Sequence, residues 1–223
     1  ISPMLSNIYL HEVLDMWFEH MVKPVLHAPA FLVRFADDVV IVFKSKRDAE
    51  RVLDVLPKRL GKYGLTLHPE KTRLVWFERP PHRGKPRGPG RTGTFYLLGF
   101  THNWGRSLKG SRLVKRKTEK GRLKRAIRRV YLWCKRHRHM DIETQHKILC
   151  RKLRGHDAYY GITGNNRSLE LFRHGVNRAW KRWLCRRSRG AQKKNWTWFD
   201  RVTARYPLPC PKIVHSIYRA AKP

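Results

Sequence analysis

The stretch Phe31-Leu32-Val33-Arg34-Phe35-Ala36-Asp37-Asp38-Val39-Val40-Ile41-Val42-Phe43 decides the fold. Residues 31–35 and 39–43 are short apolar runs rich in Val and Phe, separated by Ala36, Asp37 and Asp38. That pattern predicts a β-hairpin with two carboxylates at its tip. An Asp pair is by itself compatible with a plain polar turn. The apolar flanks argue for more, because they make the tip emerge from a buried sheet. Two like charges held side by side raise each other's pKa, and a divalent cation removes that penalty. Carboxylate oxygens suit Mg²⁺ or Mn²⁺, and two such ions can clamp the attacking and leaving oxygens of a phosphoryl transfer. Asp37 and Asp38 are therefore the candidate catalytic and metal-binding residues.

Outward from the hairpin, residues 3–23 carry Leu5, Ile8, Tyr9, Val13, Leu14, Trp17, Phe18 and Met21 at helical spacing. Residues 46–63 predict an amphipathic helix with Ala49, Val52, Leu53, Leu56 and Leu60 inward and Gly64 as its stop. Asp15 and Asp48 fall on these helices, where a solvated face is the ordinary reading. Residues 65–77 predict an extended segment, a turn at His68-Pro69 and a strand. Residues 79–93 hold four Gly, four Pro and five Arg or Lys, the composition of a basic loop or linker. Residues 94–102 predict a further strand with Gly99 inside it.

From about residue 113 the texture is helical. One basic helix is expected over 113–139, with Leu123, Ile127, Val130, Leu132 and Trp133 as its apolar positions. A second is expected over 142–154, then a Gly-rich connection from Gly161 to Asn166. A third is expected over 167–188, with Leu169, Leu171, Phe172, Val176, Trp180, Trp183 and Leu184 inward. Trp196, Trp198 and Phe199 are expected to add core, and Pro207, Pro209 and Pro211 to end regular structure. The fold class is α+β.

Charge divides the chain. Fifty Lys and Arg against sixteen Asp and Glu give +34 over 223 residues. Residues 1–80 hold 12 basic and 10 acidic side chains, net +2, and residues 81–223 hold 38 and 6, net +32. A folded domain with that excess meets a polyanion, and nucleic acid is the first choice. An anionic membrane is the second choice of polyanion; no stretch approaches the roughly 18 apolar residues of a membrane span, and no membrane partner is expected. The four cysteines lie far apart, which indicates neither a disulfide framework nor a paired-cysteine zinc site.

Phe35-Ala36-Asp37-Asp38 resembles the palm hairpin of reverse transcriptases, and most closely that of the group II intron reverse transcriptase–maturases. Four further segments match in order. Ile1 to Leu10 resembles the second half of the motif before the hairpin, and Gly64 to Thr72 the motif after it. Phe95 to Phe100 resembles the primer grip. Gly155 to Asn165, with Trp180 and the Arg186-Arg187-Ser188 region, resembles the maturase thumb.

The resemblance implies a partial palm, an antiparallel sheet with packed helices over 1–105, followed by an all-α basic thumb over 106–223. It implies RNA-directed DNA polymerase activity by two-metal phosphoryl transfer with Mg²⁺ or Mn²⁺, and a maturase role on structured intron RNA. RNA template and DNA primer are the other implied partners, in a bacterial cytoplasm. Ser2, Pro3, Asn7, Phe35 and Lys71 would lie by the nucleotide and template. Leu98, Gly99 and Phe100 would grip the primer. Arg122, Lys124, Arg125, Arg128, Arg129, Arg186 and Arg187 are the candidate RNA-binding side chains. Phe35 stands where the family usually has Tyr. The family's fingers and third catalytic aspartate precede the region matched by Ile1. The expectation is thus an N-terminally incomplete polymerase; the alternative is an inactive RNA-binding maturase fragment, or a half-enzyme needing a partner chain.

Overall fold

The computed structural model describes residues 2–80, 93–107 and 110–216. Most of the basic loop expected over 79–93 lies outside the described residues. The fold is α+β and divides into two compact units, Ile1–Leu98 and Gly99–Pro223.

In the first unit, helix α1 (Ser2–Leu10) widens into π-helical turns (His11–Met16 and Phe18–Val22) and closes in a 3-10 turn, Lys23–Val25. The wide turns displace later side chains from the α-helical stripe. Val13, Leu14, Phe18 and Val22 are buried, whereas Leu5, Ile8, Tyr9 and Met21, expected inward, are exposed. Strands β1 (Ala30–Phe35) and β2 (Asp38–Phe43) pair antiparallel, from Ala30 opposite Phe43 to Phe35 opposite Asp38. This register puts Leu32, Ile41 and Phe43 against Phe18, Val22 and Val52. Phe18 meets Phe43 edge to face, 6.4 Å between ring centres. The opposite face leaves Phe31, Val33, Phe35 and Val42 exposed.

Helix α2 (Lys46–Gly61) starts at Ser45, whose Oγ accepts from Asp48 N at 3.3 Å. Its Asp48 carboxylate does not lie on a solvated face. It is buried and accepts from the backbone of His27 (3.1 Å) and Ala28 (3.2 Å), fixing the loop that enters β1. The expected stop forms, with Gly64 at φ +68° and Leu65 N bonded to Leu60 O. The turn at His68 also forms, closed by Thr72 N to His68 O. The strand expected up to residue 77 does not. Residues 72–80 alternate in exposure without forming a named strand, and Gly93 N donates to Trp76 O at 2.8 Å. Strand β3 (Phe95–Leu97) ends this unit, with Phe95 packed edge-on to Phe77.

The second unit opens with β4 (Phe100–Arg106) antiparallel to β5 (Arg112–Thr118). Residues 113–118 were expected to be helical. Arg-Leu-Val-Lys-Arg-Lys-Thr lacks apolar residues three and four apart and carries β-branched Val114 and Thr118, which favours a strand. The helices are α3 (Lys120–Arg136), α4 (Ile142–Tyr160), α5 (Asn166–Leu184), the short α6 (Arg189–Gln192) and α7 (Trp196–Arg205). Helix α4 runs six residues past its expected end, straight through Gly155, and α7 was not expected. Leu149, Leu153, Phe172, Val176, Trp180, Leu184 and Phe199 form the core. Leu132, Leu171 and Trp196, expected inward, are exposed.

Buried polar groups lock this unit. Asn165 accepts from Thr118 N (3.0 Å) and donates to Thr118 Oγ1 and Tyr160 O (both 2.8 Å). Gln145 donates to His137 O (2.6 Å) and accepts from Trp180 Nε1 (2.8 Å). Gly161 receives the C-terminal segment: Val214 N and His215 N donate to its carbonyl at 2.7 and 2.9 Å. A Cβ on Gly161 would lie 2.6 Å from Lys212 O and also collide with Asp157 O. Both obstacles are backbone, so Gly161→Ala is expected to cost about 3 kcal/mol, read from urea melts.

His156 stacks on Phe172 at 3.8 Å between ring centres, and burial pushes its pKa down to about 4. An unfolded imidazole titrates near 6.5, so between these values the unfolded chain binds more protons. Stability from this group is therefore lost as pH falls from 6.5 towards 4. His156→Phe is expected to remove up to one proton's worth of slope from a stability profile across that window.

Candidate functional site

The tip of the β1–β2 hairpin is a two-residue turn of Ala36 and Asp37, and Asp38 is the first residue of β2. Both carboxylates are exposed, and neither has a hydrogen bond or ion pair among the described residues. Ala36 adopts φ +53°, a conformation that favours glycine at the first turn position. Left-handed backbone costs a non-glycine residue about 1–2 kcal/mol, and glycine loses about 0.4–1 kcal/mol through unfolded-state entropy. The first effect is larger. Ala36→Gly is expected to stabilise by about 0.5 kcal/mol in thermal melts, and Ala36→Val to destabilise.

What holds the turn is Arg34, on the inward face of β1. Its Nε and Nη2 donate to the two oxygens of Asp15 at 2.8 and 2.7 Å. Its Nη1 donates to Asn7 Oδ1 and to Ala36 O, both at 3.0 Å. One guanidinium thus ties α1, the π-helical turn and the hairpin tip together, using the fork geometry that only Arg offers. The Arg34 hydrogen bonds hold the Asp15 carboxyl below its usual range, against the opposing effect of burial, with His11 adding to the lowering. Asp15 is therefore an anchor and not a solvated helix-face carboxylate. Sequence reading missed Arg34; the signal was a lone cation at an inward position of an apolar strand.

The other expected residues are dispersed. Ser2 opens α1, and Pro3 is exposed in its first turn. Asn7 joins the Arg34 cluster. Phe35 is 66% exposed on the open face of the hairpin. Lys71 sits at the His68 turn, with no side-chain bond to that cluster among the described residues. Leu98 (φ +51°) and Gly99 (φ +76°) form a turn, so Gly99 is not inside a strand as expected. A Cβ on Gly99 would lie 2.9 Å from the Arg122 side chain and 3.2 Å from Tyr160 Oη. Phe100 stacks on Tyr159, 6.0 Å between centres and 11° between planes.

The hairpin lies within a segment that is similar to a known family. Residues 1–102 match the reverse transcriptase (RNA-dependent DNA polymerase) family. The matched segment contains α1, the Asp37–Asp38 turn and α2. No curated protein matches the chain. The family generally uses divalent metal ions and binds template and primer. The donor chemistry fits such an ion in part. Asp37 and Asp38 offer hard oxygens free of other partners, while no cluster of three His, Cys, Asp or Glu side chains is found among the described residues.

Beyond the match, Arg122, Lys124, Arg125, Arg128 and Arg129 are exposed along α3, with Arg122 paired to Glu119 at 3.4 Å. Arg186 is exposed over the Trp183 ring at 5.3 Å. Arg187 differs: it is half-buried, donates to Met140 O, and burial lowers its pKa. No described helix is long and apolar enough to cross a membrane.

Proposed function

We propose that this chain belongs to an RNA-directed DNA polymerase of the group II intron type, with a maturase role exercised through its basic second unit. The observation that carries the reading is the exposed, unpartnered Asp37–Asp38 pair on a hairpin turn within the reverse-transcriptase match. Mg²⁺ or Mn²⁺ would be held by these carboxylates, and when bound it supplies charge neutralisation at the reacting phosphate and hydroxyl. Arg34 keeps the turn in position, and Phe35 offers an aromatic wall beside it. RNA template, DNA primer and structured intron RNA are the proposed partners.

Primer extension on an RNA template tests this reading: extension with Mg²⁺ that stops on adding chelator supports it. The +32 carried by residues 81–223 favours one other reading, an RNA-binding maturase that depends on a partner chain for polymerisation. That reading predicts tight, salt-sensitive RNA binding with no extension by the chain alone.

A further inference from the structure

Helices α3 and α5 of the second unit border an open groove of about 1340 Å³. No Asp or Glu lines it. Its cations come from four stretches: Lys124 on α3, Arg138 after α3, Arg178 and Arg182 on α5, and Arg186 and Lys194 after α5. Eight Lys or Arg line it in all, and only Lys124 and Arg186 were among the RNA-binding residues expected from sequence. At one end the Trp196 ring is 49% exposed, with Lys181 Nζ 4.4 Å from its centre. Leu123, Ile127 and Leu171 give an apolar floor, and Leu171 is itself exposed.

We infer that this groove binds single-stranded RNA. Eight cations with no carboxylate among the lining residues favour a polyanion. The volume exceeds the roughly 300–1,000 Å³ of small-ligand pockets and suits several nucleotides. An exposed indole and an apolar floor inside a cationic rim form a stacking platform, which needs bases free of a duplex. A double helix presents its backbone and leaves such a platform unused. The inference rests on the proposed function only in taking RNA as the polyanion. The groove, its residues and the preference for single strands are additional to it.

The test is fluorescence anisotropy with the full chain, without primer, nucleotide or metal. The probes are a labelled RNA oligonucleotide lacking self-complementarity, its duplex, and the DNA strand of the same sequence. Trp196→Ala is expected to weaken single-strand RNA binding about 10-fold and duplex binding less than twofold. Arg178→Ala with Arg182→Ala is expected to reduce the slope of log affinity against log salt by about 1.4, the loss of two phosphate contacts. Arg151→Ala with Arg154→Ala, exposed on α4 outside the groove, is the control and is expected to weaken binding less. Circular dichroism melts establish that each variant is folded.

The inference is overturned if Trp196→Ala leaves single-strand RNA binding unchanged or weakens duplex binding equally. It is also overturned if the control pair weakens binding as much as the groove pair, or if the DNA strand binds more tightly than the RNA. Failure here leaves the Asp37–Asp38 reading untouched, because no polymerisation is measured. Failure of primer extension likewise leaves the groove intact.

Discussion

Asp37→Asn is expected to lower Mg²⁺-dependent primer extension on an RNA template by about 10³-fold. The substitution keeps the size of the side chain and its suitability for a turn, since Asn and Asp both favour turns. It removes the negative charge that draws a hard divalent ion, for which an amide is a poor exchange. Metal stabilisation of the developing charge is worth several kcal/mol, and each 1.36 kcal/mol is tenfold in rate, so about 4 kcal/mol gives the stated loss. Stability should barely move: the carboxylate is exposed and unpartnered, and surface changes of this kind stay within about 0.5 kcal/mol. Relief of the Asp37–Asp38 repulsion acts in the stabilising direction. The pairing of a large kinetic loss with an unchanged melt separates a metal-binding role from a plain polar turn. Asp38→Asn is expected to give a smaller loss with the same unchanged melt. Extension retained in Asp37→Asn would sink the assignment.

The hairpin could be read from the sequence because its information is local. Two apolar runs and a polar turn specify register and tip together, and β1 and β2 fall within one residue of the expected bounds. The same holds for α2, where the periodicity and Gly64 are contiguous. What escaped was encoded by partners distant in the chain. Arg34 finds Asp15 nineteen residues earlier, and Asp48 finds the His27–Ala28 backbone. Neither pairing leaves a mark on periodicity, so both carboxylates looked like surface charge. Residues 113–118 misled for another reason. A run dominated by Arg and Lys carries almost no hydrophobic pattern, and only its pairing with β4 makes it a strand. Trp196 shows the limit of composition as a guide. Tryptophan is usually largely buried, yet this ring stands at the rim of the α3–α5 groove. The groove's cations come from four separate stretches, and only the folded bundle brings them together.

Arg34→Ala is expected to destabilise the first unit by about 2 kcal/mol and to lower primer extension as well. A fully exposed ion pair contributes about 0–1 kcal/mol. Breaking a fully buried one costs about 3–5 kcal/mol. The Arg34 and Asp15 side chains are 12% and 21% exposed, which places the pair between those limits. The loss also frees Asn7 and Ala36 O, so the turn carrying Asp37 loses its tie to α1. The pH dependence has a defined sign. Asp15 titrates below 3.8 in the folded protein. Its contribution is therefore fully present above 3.8 and is lost as pH falls through the lowered folded value. The stability difference between the wild-type chain and Arg34→Ala should be constant from neutral pH down to about 5, then shrink as the carboxylate is protonated. Arg34→Lys distinguishes charge from geometry. It keeps the cation opposite Asp15 but cannot span both carboxylate oxygens, Asn7 and Ala36 O together. It should recover part of the stability and its pH dependence, and less of the extension rate. Equal recovery of both would mean that Arg34 acts through charge alone, and the positioning role assigned to its fork would fall.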